Sequence, residues 1–112
     1  MSYNKLTLKT NAAVEIENII SHYASKNSIL AKRIEKEIRL GFKTIAKNPE
    51  SFQCRYSKVR IFWLNKFPYG LYYIWENNEV SILAFWHSKE DIPKKISQIL
   101  YPANSFFLFK NR

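Results

Sequence analysis

The hydrophobic pattern of the chain changes once from a helical period to an extended one, and this change constrains the possible folds most. Across residues 29–47 the apolar side chains recur every three or four positions, at Ile34, Ile38, Phe42 and Ile45. Residues 59–64, 71–75 and 80–87 are instead rich in branched and aromatic side chains, with short polar turns between them. Helices followed by an antiparallel β-meander are therefore expected.

The first third of the chain predicts a short strand and a helical hairpin. Residues 5–9 alternate polar with apolar side chains, which is typical of a half-buried strand. Thr10 or Asn11 can cap a helix that extends to about residue 24, and Asn27 or Ser28 can cap the second, over 29–47. Pro49 ends the second helix because it disfavours helical backbone in the preceding residue. Close packing would explain Gly41 within it.

The last extended run is apolar on both faces. Alternation places Val80, Ile82, Ala84 and Trp86 on one face and Ser81, Leu83, Phe85 and His87 on the other. This strand is therefore expected to be central and covered on both sides. The hairpin covers one face, and the C-terminal segment or a partner must cover the other. Asp91 can cap a final helix to about residue 100, and the apolar run 106–109 is expected to pack on the sheet or to meet another chain, as in a homodimer.

These elements predict one α+β domain over residues 1–112, with a core at about 5–93 and an extension at 94–112. A hydrophobic fraction of 46% suffices for such a core. Cys54 is the only cysteine, which suits a reducing compartment. No signal peptide is apparent at the N-terminus, and no apolar run approaches the ~18 residues of a membrane span. A cytoplasmic location without membrane contact is expected.

The chain is strongly basic, with a net charge of +9 from 18 Lys and Arg against 9 Asp and Glu. RNA, DNA, an anionic membrane surface or an acidic protein would complement this charge, although it can also serve solubility alone. A basic stripe follows the second helix at Lys32, Lys36, Arg39, Lys43 and Lys47. This stripe is either a nucleic-acid-binding surface or a solvated helix face that Glu35 and Glu37 partly neutralise.

Several segments in this order resemble the RelE/ParE superfamily, the toxins of type II toxin–antitoxin (plasmid stabilisation) systems. The similar segments are 13–23 in the first helix, 45–49 (IAKNP), Arg60, 67–73 (FPYGLYY) and 82–89 (ILAFWHSK), so the resemblance covers most of residues 5–93. It implies an antiparallel sheet with two helices packed on it, and an acidic antitoxin as partner. It also implies one of two activities, ribosome-dependent cleavage of messenger RNA or inhibition of DNA gyrase.

RNA cleavage without a metal requires a base, an acid and a cation near one phosphate. The candidates are Arg60 to hold the phosphate, His87 as base or acid, Lys89 for added charge, and Tyr72 or Tyr73 to stack on a base or donate a proton. Each also has a structural interpretation, Arg60 as an ion-paired strand residue and His87 as a solvated strand end. These candidates slightly favour the cleavage hypothesis.

Two features favour the other hypotheses. Family members often carry two basic residues soon after the histidine, whereas here Glu90 and Asp91 follow a single lysine and would repel a phosphate. Segment 67–73 is closer to the gyrase-inhibiting branch. A non-toxic basic RNA-binding or interaction module on the same fold is the third hypothesis. One cysteine and two histidines provide no recognisable metal site, and no cofactor is expected.

Overall fold

A computed structural model describes residues 4–100, which form an α+β fold of three helices and a five-stranded sheet. The elements in chain order are β1 (Lys5–Leu8), α1 (Thr10–Lys26), α2 (Ser28–Lys47), a 3-10 turn (Pro49–Ser51), β2 (Cys54–Tyr56), β3 (Val59–Trp63), β4 (Tyr69–Glu76), β5 (Glu79–His87) and α3 (Ile92–Leu100). The predicted order of strand, helical hairpin, meander and final helix is confirmed. The 3-10 turn and β2 were not foreseen.

The strands are arranged in the order β1-β5-β4-β3-β2. The meander is antiparallel, with Arg60 opposite Tyr73 and Tyr69 opposite His87. Strand β1 instead runs parallel to β5, with Lys5 beside Glu79 and Leu8 beside Ile82. The sheet is therefore mixed: the predicted meander is antiparallel, and the antiparallel sheet implied by the resemblance is corrected for β1 alone. Strand β5 lies between two neighbours, as predicted.

The two long helices begin differently. Asn27 caps α2 as predicted, because its side-chain Oδ1 accepts hydrogen bonds from the amides of Ile29 (2.9 Å) and Leu30 (3.3 Å). Helix α1 begins at Thr10 after Lys9, and no side chain caps its N-terminus. Asn11 donates from Nδ2 to the carbonyl of Leu83 at 2.8 Å, so it joins the helix to β5 instead of serving as a cap.

A β-bulge in β5 changes the faces predicted for its second half. Tyr72 pairs with Ala84 and Tyr73 pairs with Ile82, so Leu83 is the extra residue. Val80, Ile82 and Phe85 consequently pack in the core under α1 and α2, while Leu83, Ala84 and Trp86 pack on the other face. Strict alternation was therefore right as far as Leu83 and wrong from Ala84 onward, because one extra residue exchanges the faces of everything that follows.

Each face of the sheet has its own hydrophobic core. Helices α1 and α2 cover one face, where Gly41 brings α2 so close that an added Cβ would lie 2.9 Å from Leu71 Cδ1 and 3.0 Å from the Phe62 ring. Helix α3 covers the other face through Ile92 and Ile96. The apolar run 106–109, expected to complete that cover, lies outside the described residues. In residues 4–100, no helix is both long enough and apolar enough to cross a membrane.

Candidate functional site

Arg60 lies on the face of β3 under the helical hairpin, where it binds backbone. Its Nη1 donates to the carbonyls of Phe52 (2.6 Å) and Glu50 (3.3 Å), and its guanidinium lies 5.8 Å from the centre of the Trp75 ring. These contacts hold the 3-10 turn and the following segment against the sheet. The guanidinium therefore has a structural role in this conformation, and its direction is fixed toward the turn.

His87 ends β5 on the same face as Arg60, at the opposite end of the sheet. Its ring meets Tyr69 edge-on with centroids 5.1 Å apart, and its Nδ1 accepts a hydrogen bond from the Lys89 amide at 3.0 Å. That bond leaves Nε2 to carry the proton in the neutral imidazole. His87 is half-buried and Lys89 is exposed, so both can reach a ligand at this edge.

Glu90 binds tightly within the turn after β5. Its carboxylate accepts from the His87 amide at 3.0 Å and pairs with Lys95 at 2.6 Å. Burial opposes the charged form, but the hydrogen bonds from Lys95 and the His87 amide outweigh it and lower the pKa of Glu90 below its ordinary value. Glu90 is therefore ionised at neutral pH, and the ammonium of Lys95 offsets most of its charge beside His87.

Tyr72 lies on the opposite face of the sheet from Arg60 and His87. Its side chain is fully buried against Trp63 and Trp86, and within residues 4–100 its hydroxyl has no hydrogen-bond partner. Burial raises the pKa of Tyr72 to about 12. Tyr73, the other tyrosine considered, is also fully buried and donates to the Pro49 carbonyl at 2.7 Å.

The structure does not bring the four candidate catalytic residues together. Arg60 pairs with Tyr73 and His87 pairs with Tyr69, so the two residues are four positions apart along β4 and two strands apart across the sheet. Strand geometry places their Cα atoms roughly 16 Å apart. A general base acts over about 3 Å. Only His87 and Lys89 lie close to one another.

The five basic residues predicted on α2 are all exposed on one side of the helix: Lys32, Lys36, Arg39, Lys43 and Lys47. Arg39 pairs with Glu35 at 2.8 Å, and no ion pair involves the four lysines within the described part of the chain. Glu37 faces away from them, because its carboxylate accepts from the amides of Asn65 (2.6 Å) and Lys66. The stripe therefore presents nearly its full positive charge to solvent.

The sequence interpretation missed two residues that contact the last residues of β5. The carboxylate of Glu15, on α1, accepts hydrogen bonds from the Phe85 amide (3.0 Å) and from the Trp86 indole (2.9 Å). These bonds cover the edge of β5 beyond the end of β1. Tyr69 stacks on Phe85 and touches His87. Their position in the sequence gave no signal, because Glu15 depends on how α1 crosses the sheet and Tyr69 depends on the register between β4 and β5. Residues 4–100 contain no cluster of three metal-ligating side chains.

Solved structures that share this fold include two from toxin–antitoxin systems. A chain of the chromosomal ParDE TA system from P. aeruginosa is 18% identical, with a TM-score of 0.67 over 76% of this chain and 96% of that one. A chain of the RelBE2 toxin–antitoxin complex from Mycobacterium tuberculosis is 14% identical, with a TM-score of 0.51 over 78% of this chain and 93% of that one. Among curated proteins, none matches the chain significantly.

The fold is that of the RelE/ParE superfamily of toxins. Residues 6–92 match the family model of the ParE toxin of the type II toxin–antitoxin system parDE. The chain belongs to this ParE toxin family. The resemblance seen in the sequence is thereby confirmed, whereas the family alone does not choose between the two toxin activities.

Proposed function

We propose that this toxin inhibits DNA gyrase by binding and catalyses no RNA cleavage, and that an acidic antitoxin neutralises it. The separation of the candidate catalytic residues is the observation that carries the proposal. Arg60 is engaged by backbone carbonyls, Tyr72 is buried on the opposite face, and His87 adjoins the carboxylate of Glu90. Of the candidate residues, Lys89 alone remains to stabilise a phosphorane beside His87, which argues against the slight preference for cleavage drawn from the sequence.

Membership of the ParE family supports gyrase as the target. The exposed lysines of α2 add a physical reason, because gyrase works on DNA and a cationic helix face can contact the phosphates of the bound duplex. We therefore assign the basic stripe to phosphate contacts in the gyrase–DNA complex. Such contacts need no base-specific readout and strengthen as the salt concentration falls.

The antitoxin is proposed from the two related structures and from charge. Both come from paired toxin–antitoxin systems, ParDE and RelBE2. A net charge of +9 favours an acidic partner, because opposite charges raise both the rate of association and the affinity of the complex. A short acidic reading frame beside the gene is the expected source of this partner.

The test is to induce the toxin in bacteria without its antitoxin and to pulse-label DNA and protein synthesis separately. A prompt fall in DNA synthesis with DNA damage is expected. A fall in protein synthesis with cut messages would instead favour ribosome-dependent cleavage. Undisturbed growth would favour the non-toxic interaction module.

A supercoiling assay with purified gyrase separates binding from catalysis. The variant His87→Ala/Lys89→Ala removes the only adjacent pair of candidate catalytic side chains and leaves the core intact. We expect it to inhibit supercoiling as well as the parent does, within about twofold. Arg60 is unsuitable for this test because its loss also disturbs the 3-10 turn. Cleavage of ribosome-bound messages by the parent, lost in the variant, would overturn the proposal.

A further inference from the structure

A cavity of about 610 Å³ opens between the end of α3, the sheet and the start of α1. Its apolar walls come from strands β4 and β5 and from the last turn of α3: Ile74, Leu83, Trp86, Ile99 and Leu100. Ile74, Ile99 and Leu100 are only partly buried, at the margin of the core that covers this face. The second core is therefore incomplete where the described chain ends.

Four of the six polar side chains that line this cavity have partners, and the other two, Lys9 and Gln98, are exposed to solvent. Lys58 pairs with Glu76 at 2.7 Å, and Lys95 pairs with Glu90 at 2.6 Å while lying over the Trp86 ring. Glu15 and Asn11 are bound to β5 through Phe85, Trp86 and Leu83. An occupant that supplies apolar surface and no charge thus suits the cavity best.

We propose that the chain's own segment 101–112 fills this cavity with the apolar run Phe106–Phe107–Leu108–Phe109. Residue 106 is six residues beyond Leu100, which lines the cavity, and six extended residues span up to about 20 Å. Pro102 disfavours helical backbone at residue 101, so α3 is not expected to continue and carry the run away from the sheet. In the cavity the apolar run is removed from water, and its side chains complete the second core.

The short tether favours this segment over a second copy of the protein. A site and a ligand joined by a few residues meet at an effective concentration in the millimolar range. A second copy supplies the same four side chains only at its free concentration. At the micromolar concentrations of a purified protein, the cavity is therefore filled within one molecule.

Disulfide trapping tests the contact in the full chain, made by cell-free synthesis. Cys54 is exposed and would compete, so the background is Cys54→Ser. The cavity pair is Ile74→Cys/Phe107→Cys, and the control pair is Lys32→Cys/Phe107→Cys, in which Lys32 is exposed on α2. We expect the cavity pair to form an intramolecular disulfide roughly tenfold faster than the control pair. Equal rates, or disulfide-linked dimers of the cavity pair alone, would overturn the proposal.

A melting experiment tests whether the contact stabilises the fold. The variant Phe106→Ser/Phe107→Ser/Leu108→Ser/Phe109→Ser removes the apolar run, and Lys110→Ser/Asn111→Ser/Arg112→Ser changes the same segment without touching it. The first variant is expected to lower the melting temperature by roughly 5 °C or more, and the second to leave it unchanged. Equal melting temperatures for the first variant and the parent would refute the docking.

Discussion

At the scale of single residues, Tyr72 and Tyr73 are neighbours in β4 with opposite hydrogen-bonding states. Both rings are fully buried, but the Tyr73 hydroxyl donates to the Pro49 carbonyl and the Tyr72 hydroxyl has no partner within residues 4–100. An unpaired buried hydroxyl costs free energy, whereas a paired one contributes about 1 kcal/mol. The pair therefore offers a matched comparison inside one strand.

Replacing Tyr72 by Phe is expected to leave the free energy of unfolding unchanged or to raise it by about 1 kcal/mol, because an unsatisfied polar atom is removed. Replacing Tyr73 by Phe is expected to lower it by about 1 kcal/mol, because the Pro49 carbonyl loses its donor. Urea denaturation of the two variants measures both changes. Toxicity of Tyr72→Phe equal to that of the parent is expected, and its loss without unfolding would show that the hydroxyl acts on a ligand.

At the scale of secondary-structure elements, the packing of α2 on the sheet depends on Gly41. Alanine there gains about 1 kcal/mol of helix propensity, but its Cβ would lie 2.9 Å from Leu71 and 3.0 Å from Phe62. Overpacking of this kind costs about 1–3 kcal/mol. Gly41→Ala is expected to destabilise the fold by roughly 1 kcal/mol net in thermal or urea unfolding. The exposed helix position Ser21→Ala serves as control, and a stabilised Gly41→Ala would show that the neighbouring side chains yield freely.

The link between β5 and α3 is expected to weaken in acid. The pKa of Glu90 is lowered in the folded protein because its bonds to Lys95 and to the His87 amide outweigh burial. Its contribution to stability is therefore complete above the ordinary pKa of 4.5 and is lost as the pH falls through the lower folded value. Between pH 6 and pH 3, the melting temperature of the parent should fall further than that of Glu90→Gln.

The control for the acid experiment is Glu17→Gln. Glu17 is exposed on α1, and within residues 4–100 it takes part in no ion pair. This variant should follow the parent across the same pH range. Parallel melting curves for Glu90→Gln and the parent would show that Glu90 contributes nothing to the attachment of α3.

Local patterns predicted the elements well and their pairing less well. Helical periodicity located α2 almost to the residue, because one apolar stripe and the Asn27 cap determine it locally. The parallel pairing of β1, the short strand β2 and the bulge at Leu83 depend on contacts between distant segments. The separation of the candidate site residues could not be predicted for the same reason: Arg60 and His87 carry suitable chemistry, but register places them at opposite ends of the sheet.

At the scale of the whole molecule, the charge of +9 matters by its distribution as well as its amount. The four lysines of α2, which form no ion pair within residues 4–100, lie on the outer side of the helical layer, opposite the face that carries α3 and the cavity. If they contact DNA phosphates, their effect depends on position and weakens with salt. If they are only a solvated face, any equal change of charge elsewhere has the same effect.

Charge reversal at Lys36→Glu/Lys43→Glu/Lys47→Glu distinguishes these cases. All three positions are exposed, so folding should persist, which circular dichroism checks. We expect about a tenfold weaker inhibition of gyrase supercoiling at low salt, with the difference from the parent shrinking as salt rises. The control Lys5→Glu/Lys26→Glu/Lys94→Glu carries the same net charge on other exposed positions. If inhibition weakens equally in both variants, net charge alone is the cause. If it weakens in neither, the basic stripe is only a solvated helix face.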